Sequence, residues 1–196
     1  MLKVGITGGI GSGKSIACKI FSSFGVPVYD ADSRAKFLIE NDPEIVRQIT
    51  SVFGEEAYQD GKYNRKFISS QVFKDKSLLS QLNKIVHPAV GKDFENWVKK
   101  SAPSPYVIKE AALMNAASQQ NGLDKVIVVT APDALRIQRI QQRDPQRSLS
   151  EIEAIIKNQK SEKEFNAIAD YIVYNDEVTL MIPQILEIHH QILNQI

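Results

Sequence analysis

The sequence predicts an α/β protein: a parallel sheet of about five strands flanked by helices, with a long helical insertion. Three observations predict it. A strand, a helix and a second strand follow one another within the first thirty residues, the βαβ signature of a parallel sheet. Residues 33–101 carry helical apolar spacing and no clear strand. Strand signals then return at intervals, separated by further helical patterns.

Leu2 to Thr7 (LKVGIT) is a short run with β-branched residues that ends in glycines, which reads as a buried strand. Gly8 to Gly13 is a loop. From Lys14 the spacing of Ile16, Ile20, Phe21 and Phe24 is helical, and Gly25 supplies a stop. Pro27 to Asp30 (PVYD) reads as the second strand. In the insertion, Asn41–Pro43, the surroundings of Gly61 and Pro88 break the helical pattern into pieces. An insertion of this length in a parallel α/β protein covers or binds something. Strands are expected again at Tyr106 to Ile108, Lys125 to Val129 and Tyr171 to Tyr174. Asp133 to Arg143 reads as a helix opened by Pro132–Asp133 and stopped at Pro145. Ser150, with Glu153 three residues on, reads as the cap of another helix. The final helix carries Ile182, Ile185, Leu186, Ile192, Leu193 and Ile196, with Pro183 kinking it or marking its first turn.

Gly8-Gly9-Ile10-Gly11-Ser12-Gly13-Lys14-Ser15 matches G-x-x-x-x-G-K-[ST], the P-loop signature. A polyphosphate is wrapped by backbone N–H groups, so side chains must be small where the backbone approaches. The helix N-terminus that follows favours anions through its free N–H groups and dipole. Lys14 brings a compact cation to the terminal phosphates and Ser15 a hydroxyl for Mg²⁺. The flanking strand and helix are the context the motif requires. The expected architecture is therefore a P-loop NTPase fold using a nucleoside triphosphate and Mg²⁺.

Composition narrows the options. Of 196 residues, 24 are Lys or Arg and 23 Asp or Glu, a net charge of +1 that lacks the basic excess of a nucleic-acid footprint. Hydrophobic residues make up 43% and charged residues 24%, which suits a soluble globular protein. One cysteine, Cys18, excludes an intramolecular disulfide and a cysteine-based metal cluster, and fits a reducing, cytoplasmic setting. The start MLKVGITGG lacks the features of a secretory signal, and no apolar run nears the ~20 residues of a membrane span.

Two further groups carry candidate chemistry. Asp30-Ala31-Asp32 falls at the end of the second strand, and strand C-termini line the ligand crevice of an open parallel sheet. A carboxylate there can accept or orient an acceptor hydroxyl. Asp32 also reads as a helix N-cap, and the two readings are compatible. Arg136, Arg139 and Arg143 share one helix face, with Arg147 just beyond. Such a row either stabilises charge on a transferring phosphoryl group or is a solvated basic surface, and spacing does not decide. His189–His190, Cys18 and Trp97 read as structural, and Lys157 to Lys163 as solvated helix surface.

The chain resembles the bacterial dephospho-CoA kinases along nearly its whole length. Ile6 to Ser15 is similar to that family's opening, Asp30-Ala31-Asp32 to its D-A-D motif and His87-Pro88 to its H-P pair. Gln142-Arg143-Asp144 resembles the Q-R-D at the start of its lid. Gln159 and Ala169 to Asn175 resemble the approach to its last strand. The resemblance implies ATP-dependent phosphorylation of the ribose 3′-hydroxyl of dephospho-CoA, giving CoA and ADP, the last step of coenzyme A biosynthesis. It implies a single kinase domain: core 1–32, 102–140 and 165–196, a helical acceptor-binding region about 33–101, and a lid about 141–164. It implies ATP contacts at Gly9, Ile10, Gly11, Ser12, Gly13, Lys14, Ser15 and Ile16, with Arg139 and Arg143 on the phosphates from the lid side and Asn175 near adenine. Asp32 becomes the general base or hydroxyl-orienting group, His87 an acceptor contact and Ser15 the Mg²⁺ ligand. The implied partner is a small molecule, with no nucleic acid or membrane, and the enzyme a monomer or small homo-oligomer.

Two departures stand out. Ile16 replaces the family's usual Thr, which removes a hydroxyl from the phosphate side. Ala112-Leu113-Met114-Asn115-Ala116 stands where the family often has P-L-L-x-E, so that acid is absent, and Glu110 lies just before it. The remaining alternatives are another small-molecule or nucleotide kinase of the P-loop class, and a GTP switch. The switch wants N-K-x-D, which Asn158-Gln159-Lys160-Ser161 does not supply.

Overall fold

The computed structural model describes residues 1–101, 103–112, 114, 117 and 122–196. They divide into two compact units, residues 1–30 with 101–196, and residues 31–100. Of the stretch Ala112–Ala116, positions Leu113, Asn115 and Ala116 lie outside the described residues.

The first unit holds a five-stranded, all-parallel sheet. Its strands are β1 (Leu2–Thr7), β2 (Val28–Asp30), β5 (Tyr106–Glu110), β6 (Lys125–Thr130) and β7 (Tyr171–Tyr174), in the order β2-β5-β1-β6-β7. Val4 stands level with Ile108 on one side and Lys125 on the other. Val128 stands level with Ile172. Strands buried on both faces read as continuous apolar runs, and β6 shows why. Ile127 and Val129 join Val4, Ile6 and Val173 in one cluster with Ala17, Cys18 and Phe21 of α1 (Lys14–Ser23) and Ile185, Ile188 and Ile192 of α9 (Met181–Leu193). Val126 and Val128 point the other way, onto Leu123, Met114 and Phe165 of α8 (Glu162–Asn166). Pro183 falls in the first turn of α9, where its missing N–H costs nothing. Between β6 and β7 lie α6 (Asp133–Arg143), α7 (Leu149–Lys157) and α8.

α7 begins two residues before the sequence reading places it. Ser148, not Ser150, is its cap, in a reciprocal box with Glu151. Two overlapping S-x-x-E patterns occur here, and the extended backbone at Ser148 selects the first. A second box, Ser161 with Glu164, opens α8. It splits the Lys157 to Lys163 stretch that reads as one solvated helix surface.

The second unit comprises α2 (Ala31–Asn41), α3 (Pro43–Phe53), a 3-10 turn (Glu55–Ala57), β3 (Tyr58–Gln59), β4 (Lys62–Tyr63), α4 (Arg65–Lys74) and α5 (Lys76–Lys100). Asp42 caps α3, accepting from the N–H groups of Glu44 and Ile45, with Pro43 at its first position. Two sequence expectations fail here. Pro88 does not break the chain into two helices but sits inside the 25-residue α5. The buried stripe Val86, Val90, Phe94 and Val98, spaced by four, carries the helix through the one lost hydrogen bond. The surroundings of Gly61 are an antiparallel hairpin rather than a break. Asp60 and Gly61 both take positive φ (51° and 73°), the turn an Asp-Gly pair favours. The hairpin is held to the helices through Tyr58, whose hydroxyl donates to Ile39 O at 2.7 Å and whose pKa burial pushes up to about 12.

Candidate active site

The site begins where β1 ends. Gly8 to Gly13 leaves the sheet and feeds α1, whose N-cap is Gly13 in the left-handed region (φ 97°). A side chain at position 13 would run into Asn175, and one at position 8 into the Val129 carbonyl, so the loop demands glycine at both. Lys14 folds back across the loop, its Nζ donating to Gly8 O at 2.8 Å and Gly9 O at 3.2 Å. Ser12 is buried, and its Oγ has no hydrogen-bond partner among the described residues. Ile16 is exposed on the first turn of α1.

Oxygen groups gather beside the loop. Ser15 Oγ donates to Glu110 Oε1 at 3.0 Å. Glu110 ends β5 and stands in register with Asp30, which ends β2. Hydroxyl and carboxylate oxygens are the donors Mg²⁺ prefers. Among the described residues no group of three or more His, Cys, Asp or Glu forms a metal cage. Mg²⁺ requires none, because one or two protein oxygens plus phosphate and water complete its shell. The residues present fit that ion. Cys18 lies behind the same carboxylate, and burial first, then Glu110, pushes its thiol pKa far up. It is an inert core residue, as its sequence position suggests.

The arginine row does not behave as one face. Arg136 is 8% exposed and lies against the loop. The Arg139 side chain is 24% exposed and reaches Asn175 O at 3.2 Å and Glu177 Oε1 at 3.2 Å. Arg143 is 60% exposed at the side chain and turns onto Asp144, Nη2 to Oδ2 at 2.9 Å. That hydrogen bond holds the Asp144 carboxyl below its usual range. Asn175 follows β7 and donates from Nδ2 to Ser12 O at 2.8 Å. The structure thus brings the loop, Arg139 and Asn175 together, and leaves Arg143 beside them on an acidic neighbour.

Sequence reasoning missed Arg136 as a loop contact, and took Gln159 only as part of a resemblance. Gln159 Oε1 accepts from Ile10 N–H at 2.9 Å and from Arg136 Nη2 at 2.8 Å. Nothing local to Asn158–Lys160 signals this, because the partners are 149 residues apart. A cavity of about 430 Å³ lies on this side of the loop, bordered by Gly9, Ser12, Thr130, Arg136, Lys160 and Phe165.

Asp32 and His87 belong to the second unit. Asp32 is the second residue of α2, because the helix starts directly after β2 at Ala31. It is therefore not an N-cap. It lies in the first turn, where the helix dipole favours a carboxylate, and is exposed. His87 is exposed on α5, beside Pro88 in a groove of about 530 Å³ that Lys76, Ser80, Asn83 and Lys84 also line. Close by in the same unit, Arg34 forms a two-pronged pair with Asp93 (2.8 and 2.9 Å) and covers the Phe37 ring at 4.6 Å.

A P-loop opening a parallel sheet in this strand order, with cationic and amide side chains over the loop, defines a P-loop kinase. Comparison with known proteins narrows the class. A family model described as dephospho-CoA kinase matches residues 2–180. A dephospho-CoA kinase from Porphyromonas gingivalis is 35% identical over 188 residues, 96% of this chain and 93% of that protein. The crystal structure of TT1252 from Thermus thermophilus superposes with a TM-score of 0.79 at 28% identity, covering 100% of this chain and 97% of that one. A dephospho-CoA kinase from Campylobacter jejuni shares the fold, with a TM-score of 0.69 at 23% identity and 98% coverage of each chain. This chain belongs to the dephospho-CoA kinase family. It is a transferase whose reaction is the ATP-dependent phosphorylation of dephospho-CoA, the final step of coenzyme A biosynthesis.

Proposed function

We propose that this chain transfers the γ-phosphoryl group of ATP in line to the ribose 3′-hydroxyl of dephospho-CoA, with the following residues in the following roles. The observation that carries the reading is the loop Gly8–Ser15, with the Lys14 ammonium drawn across its mouth. Its backbone N–H groups and the N-terminus of α1 cradle the phosphates. Lys14 neutralises charge on the terminal phosphates, and Ile16 borders them without the hydroxyl a Thr would add. Ser15, supported by Glu110, would hold Mg²⁺, which would supply charge neutralisation for the phosphates. Arg139, held by Asn175, contacts the phosphates from the lid side, and Asn175 lies toward the adenine. Arg143 leaves Asp144 to cover the transferring group when residues 141–164 close as a lid, and closure keeps water from competing. Asp32 orients the acceptor hydroxyl and takes its proton, as its D-A-D motif implies. His87 contacts the acceptor from the α5 groove.

Among the described residues no helix is long and apolar enough to cross a membrane. We place the enzyme in the cytoplasm, as a monomer or small homo-oligomer that needs no nucleic acid.

The deciding experiment measures ADP release from Mg-ATP with dephospho-CoA, AMP, adenosine, shikimate, pantothenate or no acceptor. Release with dephospho-CoA alone, with CoA as product, is the expected result. Release driven by another acceptor overturns the substrate assignment and leaves the phosphate-loop roles standing.

A further inference from the structure

The crest of the phosphate loop is closed by its own Ser12 N–H on Gly9 O at 3.2 Å, but it is also held from outside the loop. Both backbone groups of Ile10 are taken from outside. Its N–H donates to Gln159 Oε1 at 2.9 Å, and its carbonyl accepts from Arg136 Nε at 2.9 Å. The two side chains are joined, Arg136 Nη2 to the same Gln159 oxygen at 2.8 Å, so the three residues close a ring. The third arm of the guanidinium, Nη1, is fixed by Asp133 Oδ1 at 2.7 Å. The guanidinium lies where a side chain on residue 9 would stand, so glycine there lets it reach the loop. Arg136 is 8% exposed, and each of its three nitrogens has a separate acceptor. Desolvating a cation this far is costly unless every donor is used. A surface arginine that merely solvated a helix would not be so arranged.

The consequence concerns which way the loop peptides face. A phosphate cradle works only if successive N–H groups converge on one point. Holding the Ile10 N–H and the Ile10 carbonyl fixes two successive peptides, Gly9–Ile10 and Ile10–Gly11: the first commits its N–H to Gln159, and the second has its carbonyl on Arg136, which sets the direction of the Gly11 N–H. Gln159 lies in the four-residue break between α7 and α8 (158–161), so part of the hold on the loop is exerted from that segment.

We propose that Arg136 and Gln159 are positioning residues for the phosphate loop, fixing the two peptides on either side of Ile10 so that affinity for the triphosphate depends on a side chain of the α7–α8 segment. The proposal rests on the reading of Gly8–Ser15 as the nucleotide site.

Among the described residues the Gln159 side chain is used through one acceptor oxygen, which makes a sharp substitution pair available. Gln159→Leu removes the acceptor. Gln159→Glu keeps it and strengthens its bond to Arg136. Mg-ATP and Mg-ADP affinities are measured by calorimetry on the full chain at low temperature, with melting temperatures recorded without nucleotide. Gln159→Leu, which loses the hydrogen bonds to Ile10 N–H and Arg136, is expected to weaken both nucleotides about tenfold, with the acceptor KM unmoved. Gln159→Glu is expected to stay within about threefold of the parent. Arg136→Lys, which keeps the charge but cannot serve three acceptors, should weaken nucleotide binding like Gln159→Leu. Unchanged affinity in Gln159→Leu overturns the proposal, whatever its melting temperature, and so does a Gln159→Glu variant no better than Leu. If the parent chain itself fails to bind Mg-ATP, the nucleotide-site reading falls instead.

Discussion

The candidate site residues of the two compact units are held in opposite ways. In the sheet unit, the groups around the phosphate loop are tied to protein partners. Lys14 bonds loop carbonyls, Ser15 bonds Glu110, Arg136 and Gln159 grip Ile10, and Asn175 bonds Ser12. In the helical unit, Asp32 and His87 are exposed, and the groove beside His87 is lined by long, flexible lysines. Triphosphate is small and highly charged, and a rigid cradle of fixed dipoles binds it without reorganisation. A long, mostly flexible acceptor asks instead for surface that adapts. On the proposed roles, the nucleotide half of the chemistry is built into the backbone, whereas the acceptor half rests on a few exposed side chains.

The comparison can be broken at several points. Lys14→Ala should have the largest effect, a loss of turnover of about a thousandfold with circular dichroism unchanged, because it removes the loop's own cation. Retained turnover would mean that the loop does not bear the transfer. Asp32→Asn should lower kcat about a hundredfold while the ATP dissociation constant stays within twofold, a split measured by steady-state kinetics beside calorimetry. Equal losses in both would remove Asp32 from the acceptor side. Gly61→Val should leave ATP affinity alone and cost about 1–3 kcal/mol of stability through the positive φ it cannot adopt comfortably. Urea unfolding reports it, and a coupled loss of ATP affinity would show that the units are not energetically separate.

The smallest effect is a pH dependence confined to the sheet unit. Tyr106 and His189 share a 2.6 Å hydrogen bond between β5 and α9. Burial lowers the His189 pKa, with His190 adding to the effect, and burial raises that of Tyr106. The unfolded histidine therefore binds a proton more readily than the folded one. Stability is full above the unfolded value near 6.5 and falls as pH drops through it. For Tyr106 the sign is opposite: stability is lost as pH rises past about 10. The melting temperature should fall by about 2–4 °C between pH 7.5 and pH 5.5. A His189→Gln variant should flatten that acid limb, and an unaltered slope would assign it to other groups.

Much of this molecule was legible in the chain. The strand before the loop, the helix after it, α6 over Asp133–Arg143 and the continuous apolar runs of β6 and β7 all follow from local period and punctuation. What failed was local signal overruled by neighbours. Pro88 reads as a break until the buried stripe of α5 is seen, and Asp60–Gly61 reads as a gap until two tyrosines meet across a hairpin with their rings 5.7 Å apart. The arginine row is the clearest case. Spacing put Arg136, Arg139 and Arg143 on one face and could say no more. Their different fates follow from what each meets: loop backbone, the turn after β7, and an acidic neighbour in sequence.

By itself, then, the sequence determined the phosphate loop, the parallel sheet that presents it and the class of reaction, because those depend on residue types at fixed short spacings. Tertiary structure alone decided that Gln159 and Arg136 close on Ile10, that Glu110 receives Ser15, and that Asn175 braces the loop from the far end of the chain. The bonds onto the loop and Glu110 join residues 95 to 163 positions apart, and the Arg136–Gln159 link spans 23. Their energy depends on distances of a few ångströms, which no spacing along the chain encodes and only the packing of the sheet and its helices sets.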